Sequence, residues 1–495
     1  MIKTQNLPLT SLLLSVFIAF CSCSTSPNQA KVIEEEKKNN IIFILADDLG
    51  YGDLGFLGQQ YIETPNIDRL AKEGMFFTNH YSGATVCAPS RSSFLTGLHT
   101  GHTPIRGNRE VQPEGQYPMP DSIPSIAKVM QSAGYITGTF GKWGLGFIGT
   151  TGDPSHQGFD QFYGYNCQRY AHRYYPAHVW HNDEKVILEG NGWEEKAVYA
   201  PDLIQKETIS FIEKNKDNPF FLYIPIVMPH AELAAPDDAV FQKYREKFDE
   251  EKAFPVRKGS EYGPDVTISA YQSQPYPHAT FAAMVERIDI YVGEVLAKLD
   301  ELGLKENTLI IFASDNGAHQ EGGADPDFFD SNGPFRGYKR DLYEGGVRTP
   351  MIAWWPGKIK AGTKSDHISA FWDLLPTFAD VAGAMIPQDI DGISFLPALF
   401  GENEQKEHEH LYWEFHEQGG KQAVRQGRWK AIKLHVFGGG EPTIELYDLS
   451  TDIGEENNIA AENPEKVKEL EGLMNSSHTE NPIFGLLPSE RKFGN

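Results

Sequence analysis

Asn40-Ile-Ile-Phe-Ile-Leu-Ala46 is an unbroken apolar run, and Asp47-Asp48 follows at once. An apolar run without polar alternation predicts a strand buried on both faces, as in a parallel sheet covered by helices. Two carboxylates directly past such a strand lie at the C-terminal edge, where open parallel sheets place their sites. Similar runs recur along the chain. Tyr135–Phe140 leads to Lys142, Phe220–Ile224 to His230, and Thr308–Ala313 to Asp315-Asn316. Met351–Trp355 reads as one more strand. Between them, apolar residues at helical spacing predict helices over 64–75, Ser122–Ala133, Pro201–Lys214, His278–Leu302 and Trp372–Ala382. Ser122 is read as the cap of the second helix and Gly134 as its end. This alternation predicts an α/β fold.

Parallel strands present their C-terminal ends on one edge, so Asp47, Asp48, Lys142, His230, Asp315 and Asn316 are predicted to meet. Asp47, Asp48, Asp315 and Asn316 form an oxygen-only donor set, suited to a hard cation such as Ca²⁺. No His/Cys spacing for zinc accompanies them.

The 495 residues are enough for a large domain and a smaller one. The net charge of −24 argues against nucleic-acid binding by global charge. An anionic substrate then needs a local cluster of cations, which screening beyond about 8 Å permits. Residues 1–23 carry Lys3 and an apolar stretch from Leu7 to Phe20, too short to span a membrane, and read as a secretory signal. The stretch ends in Phe20-Cys-Ser-Cys-Ser24, which resembles a bacterial lipoprotein cleavage site, with Cys23 as the lipid acceptor. Residues 24–39 are polar and read as a tether. The expected location is the periplasm or outer membrane of a Gram-negative bacterium, with membrane contact through the lipid alone. Of four cysteines only Cys87 and Cys167 remain in the body, too few for a disulfide framework. Past about residue 390 the pattern changes to short β segments, 412–415, 423–432 and 444–449, with a final helix near 464–474. The expected division is a catalytic domain over 40–390 and a C-terminal antiparallel-sheet subdomain over 391–495.

One further stretch carries chemistry. Thr85-Val-Cys-Ala-Pro-Ser-Arg-Ser-Ser-Phe-Leu-Thr-Gly97 places Cys87 just before a helix, with Pro89 in its first turn and Arg91 one turn in. Cys87-Ala-Pro-Ser-Arg91 followed by Leu95-Thr-Gly97 resembles the signature of the type I sulfatases. Other motifs resemble that family in order: Gly141-Lys142-Trp143, and Lys339 five residues before Glu344-Gly-Gly. Sulfatases often carry Gly-Lys-Trp-His-Leu-Gly, and this chain has Gly144 at the histidine's place.

The resemblance implies an alkaline-phosphatase-like mixed sheet sandwiched by helices. It implies that a maturation enzyme converts Cys87 to formylglycine, whose hydrate is the nucleophile. Ca²⁺ is then held by Asp47, Asp48, Asp315 and Asn316 with the oxygen at residue 87. Arg91 steadies the hydrate, Lys142 and Lys339 grip the sulfate, and His230 assists the leaving oxygen. The implied partner is a sulfated glycan. Two rivals share features: a phosphodiesterase or phosphonate hydrolase of the same superfamily, and an inactive lipoprotein that binds sulfated glycans. The loop Cys167-Gln-Arg-Tyr-Ala-His-Arg-Tyr-Tyr-Pro176 resembles loops of carbohydrate sulfatases from glycan-degrading bacteria, and His172 and Arg173 are its candidate sugar-binding residues. It points to an exo-acting enzyme on galactose or N-acetylgalactosamine 4-sulfate.

Overall fold

A computed structural model describes residues 38–112, 114–193, 195–248, 252–255, 271–402, 404–438 and 440–491. The signal segment, Cys21, Cys23 and all of the tether but its last two residues lie outside them. In chain order, the main sheet uses β1 (Asn40–Asp47), β2 (Met75–Phe77), β3 (Ile136–Lys142), β4 (Gln161–Tyr165), β5 (His178–His181), β6 (Glu184–Ile187), β7 (Phe220–Pro229), β8 (Thr308–Ser314), β9 (Met351–Trp354) and β10 (Thr363–Ser365). Their spatial order is β10-β2-β9-β8-β1-β7-β3-β4-β5-β6. The centre, β8-β1-β7-β3-β4, is parallel, while β9 runs antiparallel to β8 and β5 antiparallel to β4. The sheet is therefore mixed, with its C-terminal edge aligned across five central strands.

β1 is buried along its whole length, as its composition requires. Its alternate residues face two separate apolar layers. Ile42, Ile44 and Ala46 pack with helices α1 (Pro65–Glu73), α4 (Ala200–Lys214) and α6 (Pro277–Glu301). Ile41, Phe43 and Leu45 pack with α2 (Cys87–Thr96), α3 (Ile126–Ser132) and α7 (Leu374–Ala382). Phe43 shows the density of the second layer: its ring lies 4.6 Å from Phe94 and 5.7 Å from Tyr223. Each such fully buried side chain contributes about 2 kcal/mol.

Three local readings are corrected. The helix expected from Ser122 begins at Ile126, capped by Ser125, whose side chain accepts from the Lys128 N–H. Pro124 explains the shift, because it disfavours helical backbone at Ile123. Cys87 is the first residue of α2, with extended Val86 before it, rather than lying outside the helix. The segment 423–432 is two strands, not one: Lys421–Gln426 and Trp429–Leu434 pair antiparallel, and Gly427 between them takes φ +56°.

That hairpin belongs to a four-stranded antiparallel sheet that also contains Leu411–Phe415 and Thr443–Asp448. Helix Pro464–Ser477 packs Leu470 and Met474 on Tyr412, Val424, Ala431 and Leu446. The sheet's other face, through Trp413, Phe415, Ala423 and Ile432, meets Tyr81, Val86, Leu342 and Val347 of the sequences flanking the candidate site. The polar stretch 231–277 contains helix α5 (Ala239–Lys247) and a bridge between Phe254 and Gln274.

Candidate active site

β1 and β8 are neighbours with Ala46 opposite Ser314, so Asp47-Asp48 and Asp315-Asn316 leave the sheet side by side. Asp48 takes a left-handed φ of 66°, uncommon for a residue with a side chain. The turn is held by its own N–H donating to Asp315 Oδ1 at 3.1 Å and by the Leu49 N–H donating to Ser314 Oγ at 3.0 Å. β3 ends in Lys142, and β7, whose Pro229 pairs with Asp47, delivers His230. The N-terminus of α2 closes the ring from the opposite helical layer.

There Cys87 Sγ lies 3.1 Å from Asp47 Oδ1 and 3.9 Å from Asp48 Oδ1. Lys142 Nζ donates to Asp47 Oδ2 at 2.6 Å and stands 3.5 Å from the sulfur. Lys339 Nζ donates to Asp48 Oδ2 at 2.8 Å and to His230 Nε2 at 2.9 Å. The His230 Nδ1–H donates to the Ala231 carbonyl, which leaves Nε2 as the acceptor. Arg91 donates to Asp315 Oδ2 from Nε at 3.1 Å and from Nη2 at 2.9 Å, and to the Lys142 carbonyl at 2.6 Å. Its Nη2 is also 3.2 Å from Asp47 Oδ2. Arg91 thus ties α2 to β1, β3 and β8 together.

All these groups are buried, and the charges set one another's protonation. Burial works to raise the Asp47 carboxyl, but Lys142 and Arg91 beside it hold it well below the usual range. Burial likewise opposes ionisation of Asp48, and Lys339 overrides it. Asp315 goes the other way, pushed up to about 7 by burial and by the nearby Asp47 charge. Burial and Asp47 raise the Cys87 thiol, so the unmodified sulfur is protonated and a poor nucleophile. Burial, with Lys339 and Lys142, keeps His230 neutral.

The site fits a hard cation. Carboxylate oxygens of Asp47 and Asp48 lie within 4.8 Å of each other and of Cys87 Sγ, which stands where conversion would put an oxygen. Asn316 donates its Nδ2–H to Asp48 Oδ1 at 2.7 Å, while its buried Oδ1 has no hydrogen-bond partner. An orphaned amide oxygen beside three carboxylates is a ready metal ligand.

The sugar-binding candidates divide. The His172 ring stacks on His230 at 4.4 Å and 17°, with the Tyr271 ring 5.5 Å away, so it flanks the site. Arg173 is turned inward and 2% exposed, paired with Glu232 and with its guanidinium 3.8 Å from the Trp193 ring centroid. Its charge is taken up by Glu232. Gly144 has φ +76°, and a Cβ there would lie 2.2 Å from Gln168 Nε2. The Gln168 amide fills the space a side chain at 144 would take.

Sequence reading missed Glu321, whose Oε2 lies 3.1 Å from Lys339 Nζ, and Ser90, whose hydroxyl donates to the Asp315 carbonyl at 2.6 Å. Glu321 had one available signal, its position six residues beyond Asp315 on the same strand-end loop. It also missed Lys421 of the C-terminal sheet, which donates to the Arg340 carbonyl at 2.7 Å and to Asp341 Oδ1 at 2.9 Å, next to Lys339.

Residues 39–384 match the family model described as Sulfatase, and residues 333–479 match that described as N-sulphoglucosamine sulphohydrolase, C-terminal. N-acetylgalactosamine-6-sulfatase of Canis lupus familiaris is 34% identical over 390 residues, covering 73% of this chain and 66% of that protein, just short of two thirds of its length. Arylsulfatase A of Homo sapiens is 31% identical over 492 residues, covering 88% of this chain and 87% of that protein. The crystal structure of Ps i-CgsB superposes with a TM-score of 0.74 at 28% identity, covering 92% of this chain and 96% of that one. Its fold is the mixed α/β sandwich described above. With a family model matched over most of its length and a relative 31% identical across 88% of it, the chain belongs to the sulfatase family.

Proposed function

We propose that this protein hydrolyses a sulfate ester of a carbohydrate, with residue 87 as formylglycine and Ca²⁺ held by Asp47, Asp48, Asp315 and Asn316. The observation that carries this reading is the placement of Cys87 Sγ between Asp47, at 3.1 Å, and Lys142 Nζ, at 3.5 Å. A formylglycine hydrate supplies the attacking oxygen, and Ca²⁺ supplies a Lewis acid for charge on the reacting oxygens. The chain's own side chains do the rest. Lys142 and Lys339 flank the nucleophile position and balance the negative charge of the ester in a dry site. Arg91 holds Asp47 and Asp315 in place as a positioning residue. The hydrogen bond from Lys339 Nζ to His230 Nε2, 2.9 Å long, keeps a transferable proton where the leaving alcohol needs one.

The substrate reading is exo cleavage of a sulfated galactose or N-acetylgalactosamine. Its supports are the loop 167–176, the half-buried His172 ring stacked on His230, and the relative named for N-acetylgalactosamine 6-sulfate. Ps i-CgsB has also been crystallised with k-i-k-neocarrahexaose, a complex that superposes with a TM-score of 0.73 at 28% identity. The 4-sulfate comes from the loop's resemblance to loops of carbohydrate sulfatases, and the named relative adds the 6-sulfate for comparison. Arg173 acts by holding the loop through Glu232. The test is inorganic sulfate released from galactose 3-, 4- and 6-sulfates, N-acetylgalactosamine 4- and 6-sulfates and glucosamine 6-sulfate. Wild type, Cys87→Ala and His172→Ala are compared. Cys87→Ala is expected to be inactive while folded, and His172→Ala to change the profile. A preference for glucosamine 6-sulfate overturns the galacto assignment, and no release from any ester by converted, Ca²⁺-loaded protein overturns the reaction.

The same reading includes conversion of Cys87 by a separate maturation enzyme, and export with a lipid on Cys23. Among the described residues no helix is long and apolar enough to cross a membrane. Cys23→Ala is expected to move the protein to the soluble fraction; retention in the membrane contradicts the lipid anchor.

A further inference from the structure

An ammonium group has three N–H donors. Lys339 uses all three: to Asp48 Oδ2 at 2.8 Å, His230 Nε2 at 2.9 Å and Glu321 Oε2 at 3.1 Å. For Lys339 to hold a sulfuryl oxygen, one partner must release it. Asp48 and His230 are closed off, with side chains 0% and 4% exposed, whereas the Glu321 side chain is 22% exposed. Glu321 is therefore the partner on the solvent side, where a substrate arrives. It also has a second cation to rely on, since its Oε1 accepts from Arg340 Nη2 at 2.9 Å. Its backbone is fixed from behind: the Glu321 N–H donates to His319 Nδ1 at 3.2 Å, and His319 Nε2–H donates to the Pro229 carbonyl at 3.0 Å.

A carboxylate at the rim of an anion pocket repels the sulfate and cannot be there to bind it. It accepts hydrogen bonds at about four lone-pair sites, and the contacts to Lys339 and Arg340 take two of them. The remaining acceptor capacity suits a hydroxyl group of the alcohol part of the substrate. We propose that Glu321 is a specificity-determining residue: it accepts a hydrogen bond from a free sugar hydroxyl neighbouring the scissile sulfate and so requires that hydroxyl. On binding, the ester takes the Lys339 donor and the sugar hydroxyl replaces it at Glu321. The inference rests on the sulfatase reading above and deepens it. A site with a polar group left unpaired by the wrong substrate discriminates strongly, so a substrate lacking the hydroxyl leaves Glu321 with an unmet acceptor.

The test measures binding by titration calorimetry to the Cys87→Ala protein, which needs no turnover. The probes are galactose 4-sulfate against 3-deoxygalactose 4-sulfate, and N-acetylgalactosamine 6-sulfate against its 4-deoxy analogue. In the tighter-binding pair, the parent is expected to bind at least about tenfold better than the deoxy analogue. Adding Glu321→Ala is expected to bring that ratio to within about twofold of one, because the hydroxyl has lost its acceptor. A merely structural role at Lys339 weakens both members equally and leaves the ratio standing, which overturns the proposal, as does a ratio of one before the change. Should Glu321→Ala fail to fold, Glu321→Gln decides, with a fall of at least about threefold expected and an unchanged ratio contradictory. Sulfate release by converted wild type separates the two claims. Release with no binding ratio removes only Glu321's role; a ratio without release removes only the sulfatase reaction.

Discussion

Asp315 illustrates how residue-level balances carry the site. It is fully buried and opposite Arg91, which also reaches Asp47, so removing Arg91 leaves two buried carboxyl groups without that cation, which costs about 3–5 kcal/mol. Arg91→Ala is expected to lower the denaturation free energy by that amount, read from urea melts. Asp315→Asn takes a negative charge from the proposed metal site, and calorimetric Ca²⁺ affinity is expected to fall at least about tenfold together with kcat. Unchanged affinity would move the ion elsewhere. Chelation of the wild type is expected to abolish sulfate release, with recovery on Ca²⁺ and none on Zn²⁺, since the donors are oxygens. Gly144 is a different case. Its positive φ and the Gln168 amide 2.2 Å from the position of a Cβ make Gly144→Ala destabilising by about 1–3 kcal/mol, measurable by thermal melts.

At the scale of elements, strand ends do the positioning, and this decides what was legible. Asp47, Asp48, Lys142, His230, Asp315 and Asn316 each follow a buried apolar run, so their meeting at one edge was readable from local pattern and sheet geometry. Cys87, Arg91 and Lys339 lie off those strands and were legible through family resemblance. Glu321 and Lys421 were not read, because their partners are remote in sequence: Lys421 reaches Asp341 across 80 residues. The inward pairing of Arg173 was unread for the same reason, since Glu232 is 59 residues away. The Ser122 cap failed because Pro124 acts on the backbone more strongly than a distant serine cap does. Lys421→Ala is expected to loosen the Lys339 turn, lowering kcat/KM about tenfold at a cost of about 1 kcal/mol in stability. Partial rescue by Lys421→Arg would identify positioning, and unchanged kcat/KM would deny it.

Across the whole molecule, the C-terminal sheet is bound to the catalytic layers by buried ions. Lys430 lies 2.8 Å from Glu344 and 3.1 Å from Glu455, all within the protein interior. Glu414 meets His478 and lies 3.5 Å from Arg106. Burial opposes the Glu414 charge, but His416, its Nε2 3.2 Å away, and a hydrogen bond from His478 hold its carboxyl down to about 2. A lowered carboxyl stabilises the fold above its unfolded value of about 4.5 and loses this as pH falls toward 2. His478 is raised: burial opposes its charge, and Glu414 outweighs it, so its share is full below about 6.5 and lost above its raised value. The pair therefore stabilises most between about pH 4.5 and 6.5. The difference in urea midpoint between wild type and Glu414→Gln is expected to peak in that window, and a flat difference contradicts the assignment.

The central claim is that residue 87 is the converted nucleophile of a sulfatase site. Peptide mass spectrometry of protein that releases sulfate tests it most directly. The peptide containing residue 87 is expected to be about 18 Da lighter than the sequence predicts, as –CH₂SH becomes –CHO. Fully active protein carrying only unmodified Cys87 would contradict the account.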